Sequence, residues 1–319
     1  MERKGYRETP NRCAPSAIFH LMGWETADRY HHEVQVREAV LAWYGREHRD
    51  FPWRGVRDPY AVLVSEVMLQ QTQASRIAER FPRFMARFPT ARTLADARQS
   101  EVLAEWSGLG YNRRALALQR TAAHVAALGW PTEVAELQRL PGIGPYTARA
   151  VASLAFGTPV GVVDTNVRRW LIRRFGIEDR STALQRLADE LAAPGRDARE
   201  IAAWTHATME LGARVCAARS PRCDVCPIAS GCPSRHNAPT IAVPRQPAFR
   251  GSTRAHRGAL LRALSNAARH ALPEPTARSV VAPPHYERVV RALERDGLVH
   301  RLGGELVLGG PVTAATIAE

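Results

Sequence analysis

Lysine is nearly missing from this chain: of 44 basic side chains in 319 residues only Lys4 is a lysine, and the rest are arginine. Amine chemistry such as Schiff-base formation therefore has one side chain to draw on, and a guanidinium, which stays protonated, is no substitute. Long apolar runs are missing as well. No stretch approaches the roughly 18 residues of a membrane helix. Near the start the apolar segment Ala17–Trp24 is short and contains His20, unlike the core of a secretory signal. A cytoplasmic, nucleoid-associated protein without membrane contact is expected. Cysteine is sparse outside one place: Cys13 stands alone, and the other four crowd into Cys216–Cys232. Without an export signal, such clustering argues against a disulfide framework and points to metal.

Acidic residues are in the minority, 31 against 44 basic, leaving a net charge of +13 and a pI near 10.5. That excess favours polyanions and releases counterions from a phosphate backbone. It does not prove a nucleic-acid partner, because richness in both arginine and alanine is also what a GC-rich coding bias produces. Hydrophobic residues at 45 % supply ample core, and the length suits two domains or one large one with an appendage.

Residues 1–32 show no period and read as a loose extension. From Glu33 the spacing is helical, with Val36, Val40, Leu41 and Tyr44 in step. Asp58-Pro59 reads as an N-cap followed by proline at the first helical position. The helix it opens has Leu63, Val67 and Leu69 as core and Glu66 at its middle. Helical segments recur at about 75–87, 100–107, 113–128, 132–139, 145–156, 164–174, 181–193 and 197–213, punctuated at Gly108, Gly129-Trp130-Pro131 and Pro194-Gly195. No strand pattern precedes residue 235, so the body, 33–235, is read as all-α. Residues 236–257 read as a basic, proline-containing linker. Across Arg235–Arg257 five arginines meet no acidic residue, which suits a connector lying along DNA or a solvated tether equally. Beyond it Leu260–Leu264 and Tyr286–Leu293 look helical. Leu298–Leu302 and Glu305–Leu308, split by Gly303-Gly304, make a hairpin. Residues 258–319 are thus expected to form a small winged-helix-like domain.

Two motifs carry chemistry. The cysteines are spaced Cys216-x6-Cys223-x2-Cys226-x5-Cys232, and four thiolates can hold either zinc or an iron–sulfur cluster. Zinc sites usually use two CxxC pairs, so the single CxxC here leans slightly to iron. Leu140-Pro-Gly-Ile-Gly-Pro-Tyr opens a helix, and its two glycines permit a tight turn whose N–H groups face outward, a geometry that binds a phosphate without reading sequence. An ordinary helix–helix turn is the plainer alternative.

Taken in order, LPGIGPYTA at 140–148, Val162–Arg169 and the cysteine loop resemble the endonuclease III superfamily of helix-hairpin-helix DNA glycosylases. That superfamily's four-iron cluster loop has this same cysteine spacing. Ser65–Gln73, Phe51–Arg54, Gly108–Tyr111 and Met209–Ala213 resemble its MutY branch, the adenine glycosylases, and the resemblance spans about residues 35–235. It implies an all-α, two-lobed fold: a six-helix barrel over about 59–163, a cluster lobe from 33–58 and 164–235, and an active site in the cleft between. It implies a 4Fe-4S cluster on Cys216, Cys223, Cys226 and Cys232. Glu66 matches the general acid that protonates adenine, and Asp164 the carboxylate that stabilises the cationic sugar. These two lie 98 positions apart and would not have been paired from sequence alone. Tyr146 and Asn166 match residues that orient the sugar chemistry. Trp53, Arg54 and Glu210 match the adenine pocket, Gln71 and Tyr111 the wedge inserted into the duplex, and Gly142 and Gly144 the hairpin.

The implied partner is double-stranded DNA carrying adenine opposite 8-oxoguanine or guanine, bound by a monomer. Relatives that also nick the strand have a lysine where Tyr146 stands, so the implied enzyme is monofunctional. Some positions depart from the pattern: Thr165 follows the aspartate where glycine is usual, and Arg149 replaces a glycine, to contact phosphate or point to solvent. Only 87 residues follow Cys232, with neither the Phe-Ser-His element nor the strands of a Nudix-like domain. The rival readings are a thymine or uracil mismatch glycosylase on the same scaffold, and a non-catalytic iron–sulfur DNA-binding protein.

Overall fold

A computed structural model describes residues 26–311 apart from 236, 240, 242–247, 250, 282 and 284. Lys4, Cys13 and part of the expected linker lie outside the described residues. The body is all-α, and no described helix is long and apolar enough to cross a membrane.

Helix α1 covers Thr26–Glu47, so it starts within the stretch read as an extension. Seven helices follow before residue 155: α2 (Pro59–Leu69), α3 (Ala74–Arg87), α4 (Ala91–Asp96), α5 (Gln99–Trp106), α6 (Arg113–Leu128), the single turn α7 (Val134–Leu137) and α8 (Pro145–Leu154). The short α4 is not evident from periodicity. Asp58 caps α2 by accepting from the Ala61 N–H at 3.0 Å, ahead of Pro59 at the first position. Every residue from Tyr60 to Met68 is buried. A helix buried all round runs through the middle of a core, and α2 packs there against α3, α6 and α8. Between α7 and α8 the chain turns at Gly142, φ +75°, where a Cβ would lie 2.5 Å from the Ala117 Cβ, so glycine is required on two counts. The Thr121 hydroxyl holds this turn by donating to the Pro141 carbonyl at 2.7 Å.

The second lobe is built from α1 with α9 (Thr165–Phe175), α10 (Ser181–Ala192) and α11 (Ala198–Arg214), followed by the cysteine loop. Its apolar cluster, with Val40, Trp170, Leu187 and Trp204, is distinct from that of the helices around α2. Met209 on α11 packs against both clusters, and α11 crosses to α8, where Ser153 and Thr205 share a 2.6 Å hydrogen bond.

The remainder runs α12 (Thr253–Asn266), β1 (Ala271–Pro273), α13 (Glu274–Val280), α14 (Tyr286–Arg295), β2 (Val299–Leu302) and β3 (Glu305–Leu308). The strands form one antiparallel sheet ordered β1-β3-β2. This helix–strand–helix–helix–hairpin order is a winged helix. Gly303 and Gly304 both sit at positive φ between the paired Leu302 and Glu305, as a two-residue hairpin turn demands. Two details differ from expectation. Ser252 caps α12, so the last residues of the expected linker are helical. Three-residue β1 and proline-started α13 are invisible to pattern, being too short to show a period. The domain is also not a loose appendage. Leu260, Leu264, Val290 and Leu306 join the same apolar cluster as Leu63 and Trp106, and the Gly310 N–H donates to Gln99 Oε1 at 3.0 Å.

Because this interface is apolar, deleting residues 236–319 should lower the thermal midpoint of the helical body and promote aggregation, read by circular dichroism and light scattering. An unchanged midpoint in a monodisperse truncated protein would show that the shared cluster contributes nothing.

Candidate active site

A cleft of about 1970 Å³, open to solvent, separates the two lobes. Glu66, Tyr146, Asp164 and Asn166 line it from three helices, together with Trp53, Arg54, Gln71 and Glu210. Glu66 comes from the buried α2 and is only 3 % exposed. Its Oε2 accepts from the Tyr146 hydroxyl at 2.8 Å, and Tyr146 is delivered by the first turn of α8, directly after the glycine turn. Burial pushes the Glu66 carboxyl up to about 7; the Tyr146 hydrogen bond opposes this, and the nearby Asp164 charge adds to it. Burial also raises the Tyr146 phenol well above its usual value, so it remains a donor.

Asp164 is the N-cap of α9. Its Oδ1 accepts from the Asn166 and Val167 N–H groups at 2.8 and 2.6 Å, and its Oδ2 from Asn166 Nδ2 at 2.8 Å. Burial raises its pKa, but these donors, Arg169 and the helix N-terminus all favour the ionised form. The two carboxyls thus sit in unlike surroundings, one dry with a single donor, the other solvated by fixed N–H groups. That is how a fold keeps one acid neutral beside one ionised. Asn166 is itself fixed, its Oδ1 accepting from Arg169 Nη2 at 2.9 Å.

Beside the carboxyls, Trp53 stacks on Phe51 with ring centroids 4.8 Å apart. Arg54 pairs with the buried Glu210 at 2.9 Å, and Arg49 closes on the same carboxylate at 2.6 Å. Both arginines hold the Glu210 carboxyl low against the effect of burial. Arg54 keeps Nε and Nη1 buried without partners among the described residues. The guanidinium lies over the Tyr44 and Phe51 rings, 5.7 and 5.9 Å from their centroids. His206 also lines the pocket and was not foreseen. Burial first, then the Arg54 and His48 charges, pull its pKa well below the usual value, so it is neutral. Its only sequence signal was helical spacing to Glu210.

Gln71 lines both the cleft and a neighbouring channel, whereas Tyr111 lines the channel alone, and both are non-glycine residues at positive φ, +55° and +47°. Such strain persists only where the surroundings enforce it. Here Arg114, also missed from sequence, does the enforcing. Its Nη1 donates to the Val67 and Gln70 carbonyls at 2.6 Å each and its Nη2 to Gly110 O at 3.0 Å, tying the end of α2 to the 108–111 loop. Gly142 and Gly144 are exposed at the hairpin. Arg149 does neither thing expected of it: it donates to the Gly161 carbonyl at 2.7 Å and pairs with Asp189, whose Oδ1 also accepts from the Gly161 N–H. It braces the segment that leads into Asp164.

Away from the cleft, Cys216, Cys223, Cys226 and Cys232 line one small pocket. No three of the described His, Cys, Asp and Glu side chains converge on a single metal ion. Four thiols that do not converge on one point suit a multi-iron cluster, in which each sulfur meets a different iron, better than a single zinc. Arg173 braces the loop by donating to the Ala217 and Ala218 carbonyls at 2.7 and 2.9 Å.

The family model described as HhH-GPD superfamily base excision DNA repair protein matches residues 64–194. The adenine DNA glycosylase of Mycobacterium tuberculosis H37Rv is 44 % identical over 236 residues, 70 % of this chain and 76 % of that one. That of Mycolicibacterium smegmatis is 40 % identical over 284 residues, 85 % of this chain and 95 % of its own. The solved structure of a thermostable thymine-DNA glycosylase superposes with a TM-score of 0.59 at 30 % identity, covering 66 % of this chain and 99 % of the other.

The raised Glu66 carboxyl carries a stability cost with a defined sign. Below about pH 4.5 the acid is protonated folded and unfolded alike. As pH climbs to 7 the unfolded chain ionises first, and stability falls until the folded carboxyl has ionised too. Glu66→Gln, which keeps the Tyr146 bond, should therefore be the more stable protein at pH 8, by up to about 3 kcal/mol, with the gap closing toward pH 4.5. A wild type as stable as the variant at pH 8, by denaturant melts, would contradict the assignment.

Proposed function

The chain belongs to the HhH-GPD superfamily of base excision DNA repair proteins, among the adenine DNA glycosylases, and from that premise we propose that it hydrolyses the N-glycosidic bond of adenine mispaired with 8-oxoguanine or guanine in double-stranded DNA. The observation that carries this is the buried Glu66 carboxyl, poised near 7 beneath the Tyr146 hydroxyl, beside an Asp164 dressed with N–H donors. The duplex lies across the cleft, its backbone held at the Gly142–Gly144 hairpin and the N-terminus of α8. Gln71 and Tyr111 fill the gap left as adenine swings out, offsetting the few kcal/mol that unstacking costs. The base enters the pocket of Trp53, Arg54 and Glu210.

Protonated Glu66 gives its proton to a ring nitrogen of adenine, and Tyr146 keeps Oε2 occupied so that Oε1 is the donor. As the C1′–N bond breaks, its electron pair leaves with the base and positive charge spreads over the sugar. Asp164, held by Asn166 and the α9 N-terminus, stabilises that charge. Water adds at C1′ and its proton passes to the Glu66 carboxylate, resetting the site and leaving an abasic nucleotide. Tyr146 lacks the amine needed to attack the sugar, so the strand is not cut. Cys216, Cys223, Cys226 and Cys232 would hold a 4Fe-4S cluster, which when bound would cross-link the 216–232 loop beside Trp170 and Arg173 of α9. A pyrimidine mismatch enzyme would leave a buried acid at Glu66 without a task.

Duplexes with adenine opposite 8-oxoguanine or guanine, and with thymine or uracil opposite guanine, should separate the readings. Wild-type enzyme should release adenine, give strand breaks only after alkali and resist borohydride trapping. Glu66→Gln should slow single-turnover excision about 10²–10⁴-fold while still binding duplex. Near wild-type excision by that variant, or preferential release of thymine, would overturn the assignment.

A further inference from the structure

On the far side of the wedge lies a second channel, about 2030 Å³, which the chemistry above does not use. One wall is the body: Gln70, Gln71, the Gly108–Arg114 loop and Arg76. The other is α12 of the winged domain with Phe249 just before it. Gln70 and Gln71 line both spaces, so the channel continues the active-site cleft past the wedge.

Its lining is chemically one-sided. Among the described residues six arginines face a single acid, Asp296, and Asp296 is already engaged by Arg257 and by Arg113 at 3.8 Å. Arg254, Arg257, Gly258, Leu261 and Arg262 recur at helical spacing, which lays one stripe of α12 along the channel. Gly258 is informative because glycine destabilises a helix interior relative to alanine, yet a Cβ there would meet nothing within 4 Å. Packing does not explain it; room for a backbone brought close to the helix does. Two of the large apolar side chains left exposed, Tyr111 at 44 % and Phe249 at 61 %, also face this channel. The later helix α14 also exposes arginines, Arg288, Arg291 and Arg295, but none of them lines this channel. On α14, Glu287 and Glu294 are in ion pairs with Arg278 and Arg301, so acids share its outer face.

We infer that the winged domain grips DNA through α12, and that the channel between α12 and the Gly108–Arg114 loop holds the phosphodiester backbone of the duplex beyond the wedge, without reading its bases. Arg254 and Arg262 neutralise phosphates from one side and Arg76 from the other, Gly258 lets the strand approach, and Arg257 is held in place by Asp296. The apolar seam that fixes the domain to α5 means the channel exists before DNA arrives. This rests on the glycosylase reading only in that the ligand is duplex DNA.

The test uses the full-length protein and 30-base-pair duplexes with adenine opposite 8-oxoguanine, adenine opposite guanine, or no mismatch, titrated across a salt series. Arg254→Gln/Arg262→Gln should weaken binding to all three by a similar factor, roughly tenfold. It should also flatten the slope of log affinity on log salt by about 0.9 for each phosphate that is no longer neutralised. Single-turnover excision at saturating enzyme should stay within about twofold of wild type. Gly258→Leu should weaken binding while leaving the charge untouched, and Arg288→Gln/Arg291→Gln on α14, equal in charge, should change neither. Circular dichroism confirms that each variant is folded. The inference fails if the α12 and α14 pairs behave alike, or if the loss is confined to one opposing base, since a backbone grip cannot tell them apart. A wild type that binds with a steep salt slope but releases no adenine would sink the glycosylase reading and leave the channel standing.

Discussion

Keeping one carboxyl protonated near neutral pH beside another that stays ionised is the constraint on which most of this structure depends. The Glu66 carboxyl can be held up only in a dry place, and α2 provides it by burying every residue from Tyr60 to Met68. A dry acid must still be reachable, so its one hydrogen bond comes from Tyr146, on a helix that meets α2 at the cleft. That helix can start there only because the chain turns at Gly142, where any side chain would strike Ala117. Asp164 belongs to the other lobe, where a helix start supplies N–H donors that no buried mid-helix position has to spare. The division into two lobes is thus a division of solvation, with the reacting sugar expected at the boundary.

Much of this was legible in the sequence, for identifiable reasons. Asp58-Pro59 marked the start of α2, the paired glycines marked the hairpin turn, and Gly303-Gly304 marked the wing. These are positions where a few residues decide the backbone locally. Residue roles came from resemblance instead, since nothing in the residues themselves links Glu66 to Asp164 across 98 positions. Arg114, His206 and Arg149 were missed or misjudged because their partners are backbone carbonyls or distant charges. An arginine that ties two loops together looks, in sequence, like one that faces water. The docking of the winged domain was equally hidden, as the apolar face of α12 shows a stripe but not what covers it.

Arg114 and the winged domain show how the wedge is supported. Gln71 and Tyr111 hold positive φ angles that neither would choose alone, and Arg114 stabilises that conformation by donating to carbonyls on both sides. The same loop then forms one wall of the α12 channel. Gln71 therefore borders both cavities and Tyr111 the second alone. That arrangement suits a step in which one base leaves the stack while the rest of the duplex is held still.

The most direct measurement is the titration of the Glu66 carboxyl itself, by NMR of carbon-labelled glutamate assigned with Glu66→Gln. The account requires a midpoint near 7 in the folded protein. It also requires a further rise in Tyr146→Phe, because the lost hydroxyl stabilises the ionised form. A carboxyl that titrates near 4.5 and ignores Tyr146→Phe would contradict it.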